Sequence, residues 1–347
     1  MRTILSSTDP IIFPNLGIEV DPGKGFTIGN FTIAWYGVII ALGTLLAAIY
    51  LLRRCGKFGL TQDELLNILI IGLPSAIVGA RLYYVLFEWD VFFGPNNNWY
   101  DWLNIRDGGL AIYGGILGAV IAIVLYLGLS KKRCRTLLPI LDMAAIALPI
   151  GQAFGRWGNF FNREAFGNYT DNFLAMRISS SHIPSDLDQA TKDLLLEKAT
   201  EGGYSGFIQV HPTFLYESLW CGVGFVLLHF ASKKRKFDGE MMLLYIAWYG
   251  LGRAFIEGLR TDSLYIGPFR VSQWLAGISC VAALAVFVFL RFVRKPDTKN
   301  LLVNRMAAEV AESVAVIGEA EDEEVCTDCE EVTEDSEKET ETEEEEA

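Results

Sequence analysis

The chain has 347 residues and a net charge of −13, yet 51% of it is hydrophobic, a combination that excludes an ordinary acidic soluble protein. The charge is local: Glu309–Ala347 carries 19 Asp and Glu against one Lys, which leaves +5 for the first 308 residues. So weak a basic excess implies no nucleic-acid partner. The tail has too little apolar area to offset its ordering entropy, which predicts an acidic, disordered segment over 300–347.

In chain order, residues 1–29 include Pro10 and Asp9 and lack the apolar region of a cleavable signal, so the first span is expected to direct insertion. Apolar stretches follow near 30–52, 65–87, 108–129, 136–155, 213–232, 240–258 and 270–293. Each is long enough to cross about 30 Å of hydrocarbon as a helix. The expected fold is all-α, a polytopic membrane protein with seven transmembrane helices in a domain over 30–299. Basic runs "RRCGK", "KKRCR", "KKRKF" and "RFVRK" follow the first, third, fifth and seventh spans. The positive-inside rule then puts the N-terminus outside and the C-terminus in the cytoplasm. Trp89, Trp99, Tyr100 and Trp102 in the second connection suit an interfacial aromatic belt. An external insert at about 168–210 contains "PSDLDQATKDLLLEKATEG", read as a short helix capped near Ser185. The six cysteines form no disulfide framework, and the lone pair Cys326 and Cys329 lacks the second pair that a zinc site requires.

Polar residues gather where the spans meet the outer side. The fourth span ends in "GRWGNFFNREAFG", with Arg156, Asn159 and Glu164. A single Arg there is explained by snorkelling to lipid headgroups, but the clustered Asn, Glu and Gly residues are not. The sixth span ends in "GRAFIEGLR", where Arg253, Glu257 and Arg260 at i, i+4 and i+7 would share one helical face. An intrahelical salt bridge accounts for two of these residues without any ligand. "GGLAIYGG" brings Tyr113, with Gly114 and Gly118 spaced for a close helix crossing. "AWYG" brings Trp35 and Tyr36, "GARLYY" brings Arg81, and "HPTFLYE" brings His211, Tyr216 and Glu217. Trp35 reads equally as an interfacial anchor, and Pro212 suits the first turn of a helix. Together the Arg residues outnumber their carboxylates, which points to an anionic ligand such as a phosphate, reached from lipid and from outside water.

These motifs, over about residues 25–293, resemble those of the bacterial phosphatidylglycerol–prolipoprotein diacylglyceryl transferases, and the thirteen-residue run matches that family's signature. The resemblance implies a seven-span fold in the bacterial cell membrane. It also implies transfer of a diacylglyceryl group from phosphatidylglycerol to the lipobox cysteine thiol of a prolipoprotein signal peptide, releasing glycerol 1-phosphate without cofactor or metal. On the family's pattern Arg156 and Arg253 face phosphate, Asn159 and Glu164 order the signature loop and bind the headgroup, and Glu257 with Arg260 completes the second face. Tyr36, Arg81 and His211 are expected to bind substrate. Tyr113 stands where many members carry His. A tyrosine of ordinary pKa near 10 is a poor base at neutral pH, so Tyr113 is expected to hydrogen-bond substrate, with the base left among Tyr113, Glu257 and water. A lipid or small-anion transporter is the competing class; its site would lie near the midplane between repeated halves. A membrane anchor for the acidic tail would leave the outer cluster without a cause.

Overall fold

The computed structural model describes residues 9–29, 31–93, 101–104, 108–129, 137–185, 187–261, 265–266 and 269–315. The "KKRCR" run with Cys134, the aromatic residues Trp99 and Tyr100, and Cys326 and Cys329 lie outside these. Met1–Pro296 forms one compact unit and Asp297–Ala347 another. In the second, residues 302–315 are helical, within the segment expected to be disordered, and 316–347 lie outside the described residues.

The first unit begins with strands β1 (Ile11–Phe13) and β2 (Ile18–Val20) and a hairpin of β3 (Gly25–Ile28) and β4 (Phe31–Ala34). That hairpin delays α1 (Trp35–Arg54) by five residues relative to the apolar run that announces it. Helix α2 (Gln62–Phe87) starts in a reciprocal capping box of Thr61 and Glu64. A single-turn helix α3 (Trp89–Phe93) precedes α4 (Ile112–Leu129). A Cβ on Gly79 of α2 would sit 2.5 Å from the Gly114 carbonyl oxygen and 2.8 Å from the Gly118 Cα. Backbone therefore meets backbone at this crossing, as small residues spaced by four permit. Helix α5 (Leu137–Asn162) runs seven residues past the expected apolar stretch, so the signature run begins inside the helix.

The insert differs from expectation. Strands β5 (Met176–Ser179) and β6 (Phe207–Val210) flank α6 (Gln189–Glu201), whose cap is Asp188, accepting the Thr191 amide at 2.9 Å, and not Ser185. With the N-terminal strands they form an antiparallel sheet in the order β2-β1-β5-β6. Ile12 pairs with Arg177, and Met176 with Val210. The purely α expectation therefore holds for the bundle and fails for this head, whose three- and four-residue strands are too short for a periodic sequence signal. Ile11, Ile178, Ile208 and Val210 are fully buried and cluster with Phe160 of α5 and with Phe214 of the next helix.

Helices α7 (Thr213–Ala231) and α8 (Glu240–Ile256) follow. They are locked by stacked Trp220 and Trp248, 4.2 Å between ring centroids, each indole donating to the other's carbonyl at 3.0 Å. A hairpin of β7 (Tyr265–Ile266) and β8 (Phe269–Arg270) leads into α9 (Val271–Val288), which continues as a π-helical turn over Phe289–Arg294. Among the described residues, six helices are long and apolar enough to cross a membrane: Trp35–Phe58, Gln62–Phe87, Ile112–Leu129, Leu137–Asn162, Thr213–Lys234 and Val271–Arg294. Helix α8, at 17 residues, measures about 26 Å, just short of a bilayer core.

The helix ends remote from the head share a second charged network. Asp142, fully buried, accepts the Gly239 and Met242 amides at 2.8 and 3.0 Å and lies 3.6 Å from Arg235, while Arg291 pairs with Glu240. Here the carboxylate of Asp142 satisfies the orphan amides at the start of α8. Cys55, Cys221 and Cys280 are free, buried thiols.

Candidate active site

The head-side ends of α5, α7 and α8 converge on a single carboxylate. Glu217, in the second turn of α7 and 6% exposed, lies 2.6 Å from Arg156 Nη2, 3.1 Å from Arg260 Nη1 and 3.6 Å from Arg253 Nη1. Glu257, 2% exposed, receives Arg253 Nη2 at 2.7 Å and the Ser272 hydroxyl at 2.5 Å, and its carbonyl receives Arg270. Three guanidinium groups and two carboxylates thus form one network with a charge of +1. The side chains of Arg156 and Arg253 remain 21% and 22% exposed, against 9% for Arg260. The first two are therefore the more accessible cations of the cluster, whereas Arg260 is occupied inside it.

The expected helical face of Arg253, Glu257 and Arg260 is not formed as such. Helix α8 ends at Ile256, residues Glu257–Leu259 make a 3-10 turn, and Arg260 is extended. Arg260 consequently reaches across to Glu217 instead of bracketing Glu257 from below. Its backbone bridges to Gly167, the last residue of the signature run.

That run is held by residues within and beyond it. After α5 ends at Asn162, Arg163 and Ala165 adopt left-handed backbone conformations at φ 58° and 56°, each costing about 1–2 kcal/mol for a non-glycine residue. The surroundings impose them. The Arg163 side chain is fully buried, bonding the Asp9 carbonyl through Nε at 3.0 Å and pairing with the carboxylates of Asp9 at 3.1 Å and Asp21 at 3.4 Å. Thr213 donates to the Ala165 carbonyl, and Thr261 to that of Phe166 at 3.2 Å. Inside the turn Asn159 and Asn162 donate to Glu164 Oε1 at 2.9 and 3.3 Å, and Arg156 Nη1 reaches Asn159 Oδ1 at 3.5 Å.

Tyr36, in the first turn of α1, packs its ring against Gly158: a Cβ there would be 2.3 Å from the ring. The structure thus joins Tyr36 to the site helix. Arg81 instead points to the α3–α4 connection, where it donates to the carbonyls of Trp102 at 2.6 Å, Gly108 at 3.0 Å and Gly109 at 2.9 Å. It holds that connection in place. Tyr113 is 62% exposed and has no hydrogen-bond, ionic or ring partner among the described residues. His211 forms a separate polar group with Asn172 and Tyr216; burial pushes its pKa below the usual histidine value. Sequence reasoning grouped Glu217 with the other polar residues without recognising it as the centre, and missed Arg163, Arg270 and Ser272. Its one available signal was position: Glu217 closes "HPTFLYE" and Arg156 stands near the start of the thirteen-residue run on the neighbouring span.

The sequence model of the prolipoprotein diacylglyceryl transferase family matches residues 24–289. A phosphatidylglycerol–prolipoprotein diacylglyceryl transferase of Clostridium botulinum (strain Hall) is 41% identical over 271 residues, covering 78% of this chain and 96% of the relative. One from Bacillus mycoides (strain KBAB4) is 39% identical over 277 residues, covering 80% and 94%. The chain belongs to the prolipoprotein diacylglyceryl transferase family. The region shared with that family contains the whole Glu217-centred cluster, the signature loop and Tyr36, while the acidic tail falls outside it.

Proposed function

We propose that this chain transfers the diacylglyceryl group of phosphatidylglycerol to the lipobox cysteine thiol of a prolipoprotein, the first step of lipoprotein lipidation. In the reaction a sulfur–carbon bond forms at the glycerol carbon, the carbon–oxygen bond to phosphate breaks, and glycerol 1-phosphate leaves with the bonding pair. The thiol proton is lost to water. Cysteine of ordinary pKa near 8.5 is ionised to a few per cent at neutral pH, so a thiolate is available without a dedicated base. The carboxylates of Glu217 and Glu257 are already engaged by guanidinium groups. Tyr113 plays a supporting part.

Arg156 and Arg253 grip the phosphate, and their fixed charges stabilise the negative charge that grows on it as the bond breaks. Glu217 holds both guanidinium groups in place before substrate arrives, which removes reorganisation from the reacting step. Asn159 and Glu164 brace the signature loop, Glu257 orients Arg253, and Tyr36 positions lipid at the entrance. The observation that carries this reading is the gathering of Arg156, Arg253 and Arg260 around Glu217, with the first two still accessible. In the membrane we place α8 as a seventh span, the N-terminus outside, the C-terminus in the cytoplasm and the cluster at the outer leaflet. The basic residues Arg53, Arg54, Lys233, Lys234, Arg291 and Arg294 near one set of helix ends support this orientation. Purified protein supplied with phosphatidylglycerol and a lipobox peptide is expected to release glycerol 1-phosphate, and none with a Cys→Ser peptide. Equal release with both peptides would sink the assignment.

A further inference from the structure

Beside the arginine cluster stands a group without formal charge. Asn172 Nδ2 donates to the Tyr216 hydroxyl oxygen at 2.9 Å and lies 3.4 Å from His211 Nδ1, which is itself 3.3 Å from the Tyr216 hydroxyl. Asn172 is fixed in turn: its side-chain oxygen accepts the Leu174 amide at 3.0 Å, and its carbonyl accepts Asn15 Nδ2 at 2.9 Å. With Nδ1 accepting, the network assigns the imidazole proton to Nε2. That nitrogen has no hydrogen-bonding partner among the described residues. The Tyr216 oxygen accepts from Asn172 and its proton is donated to His211 Nδ1, which leaves a lone pair on that oxygen. His211 and Tyr216 are partly exposed and Asn172 is exposed. The group therefore offers one uncharged donor, His211 Nε2–H, and one uncharged acceptor, the Tyr216 oxygen. A hydroxyl accepts and donates and so matches both, whereas an ammonium, a donor only, cannot accept from the imidazole.

Its place in the fold ties it to the phosphate site. The Gly167–Asn168 segment runs between the two: Gly167 bridges to Arg260 and Asn168 donates to the Leu259 carbonyl on one edge. On the other, Gly167 and His211 are joined through the Gly167 amide, and His211 donates back to Asn168. Two strand spacings, about 10 Å, separate the backbones at the edges. Tyr216 also adjoins Glu217 in α7.

We propose that His211, Tyr216 and Asn172 recognise the hydroxyl-bearing head of the lipid donor, selecting a polyol headgroup for the phosphate held by Arg156 and Arg253. The proposal rests on the transferase reading and adds headgroup selection to it. His211 and Tyr216 bind the head directly, and Asn172 positions both.

The test uses full-length enzyme in detergent micelles with a lipobox peptide and two donors of identical acyl chains: phosphatidylglycerol, and phosphatidylethanol, whose head lacks hydroxyls. Two lost hydrogen bonds correspond to a preference for phosphatidylglycerol in kcat/KM of about tenfold or more. Tyr216→Phe and Asn172→Ala are each expected to shrink that preference several-fold, because transfer from phosphatidylglycerol falls more than transfer from phosphatidylethanol. Equal use of both donors by the unmodified enzyme overturns the proposal. So does an unchanged preference in the variants, or an equal loss with both donors, which marks the group as structural. Absence of transfer from either donor in the unmodified enzyme refutes the transferase reading instead.

Discussion

Replacing Glu217 by Gln removes one charge while keeping the side chain's size, and its consequences are set by what the carboxylate holds. At 2.6 and 3.1 Å and an effective dielectric of 20, the gross Coulomb attraction to Arg156 and Arg260 is about 6 and 5 kcal/mol. Desolvation of the ions cancels most of this, but removing one partner of a buried cluster typically costs about 3–5 kcal/mol. Arg260, 9% exposed, is the most buried of the three cations that share Glu217. Two effects on turnover oppose each other. The extra positive charge attracts lipid phosphate, while Arg156 and Arg253 lose the anchor that aims them. Since one misdirected charge-stabilising donor is worth about 10²–10³ in kcat, orientation outweighs attraction. Glu217→Gln is expected to lower kcat at least about 100-fold without raising KM for phosphatidylglycerol, and to lower the melting temperature. Steady-state transfer to a lipobox peptide, with thermal unfolding in the same detergent, measures both. Unchanged kcat in a well-folded variant, or a defect confined to KM, would refute the reasoning.

Arg156→Ala and Arg253→Ala are expected to abolish transfer with insertion intact, and Lys is expected to rescue poorly because it lacks the planar fork that grips phosphate; near-full activity of the Lys variants in the same assay would remove that basis. Tyr113→Phe should cost several-fold in rate at most, about the worth of one hydrogen bond, since the ring is 62% exposed; a thousand-fold loss would make its hydroxyl the base. Burial lowers the His211 pKa, so the folded state binds fewer protons than the unfolded state as pH falls below about 6.5. Its contribution to stability is full above that value and is lost as pH falls toward the folded pKa, which thermal unfolding between pH 7.5 and 5 reads and His211→Gln should diminish. Truncation after Lys299 is expected to leave specific activity in place, since the tail lies beyond the family-matched region; loss of activity in inserted protein would assign the tail a catalytic part.

What the sequence discloses follows the range of the interaction. A close helix crossing at α4 was legible because Gly114 and Gly118 are four apart on one helix. The Arg253–Glu257 pair was legible for the same reason. Glu217 was not, because its partners come from α5 and α8, and nothing in "HPTFLYE" marks which Arg it will meet. Arg163 drew no separate reading from the sequence and is a buried brace for a strained turn, its acidic partners lying 154 and 142 positions away. The sheet escaped notice because β1 and β5 are distant in sequence and very short. Tyr113 and Arg81 were assigned by motif, and the structure commits Arg81 to three loop carbonyls.

The central claim is that the lipid is moved onto sulfur by the cluster around Glu217. Intact mass spectrometry of a lipobox peptide, after incubation with purified protein and phosphatidylglycerol of defined acyl chains, tests it most directly. The account predicts a mass gain of one diacylglyceryl group, located on the cysteine as a thioether, and none with Arg156→Ala enzyme. An unmodified peptide under conditions that bind both substrates, or a modified peptide formed equally well by the Arg156→Ala enzyme, would contradict it.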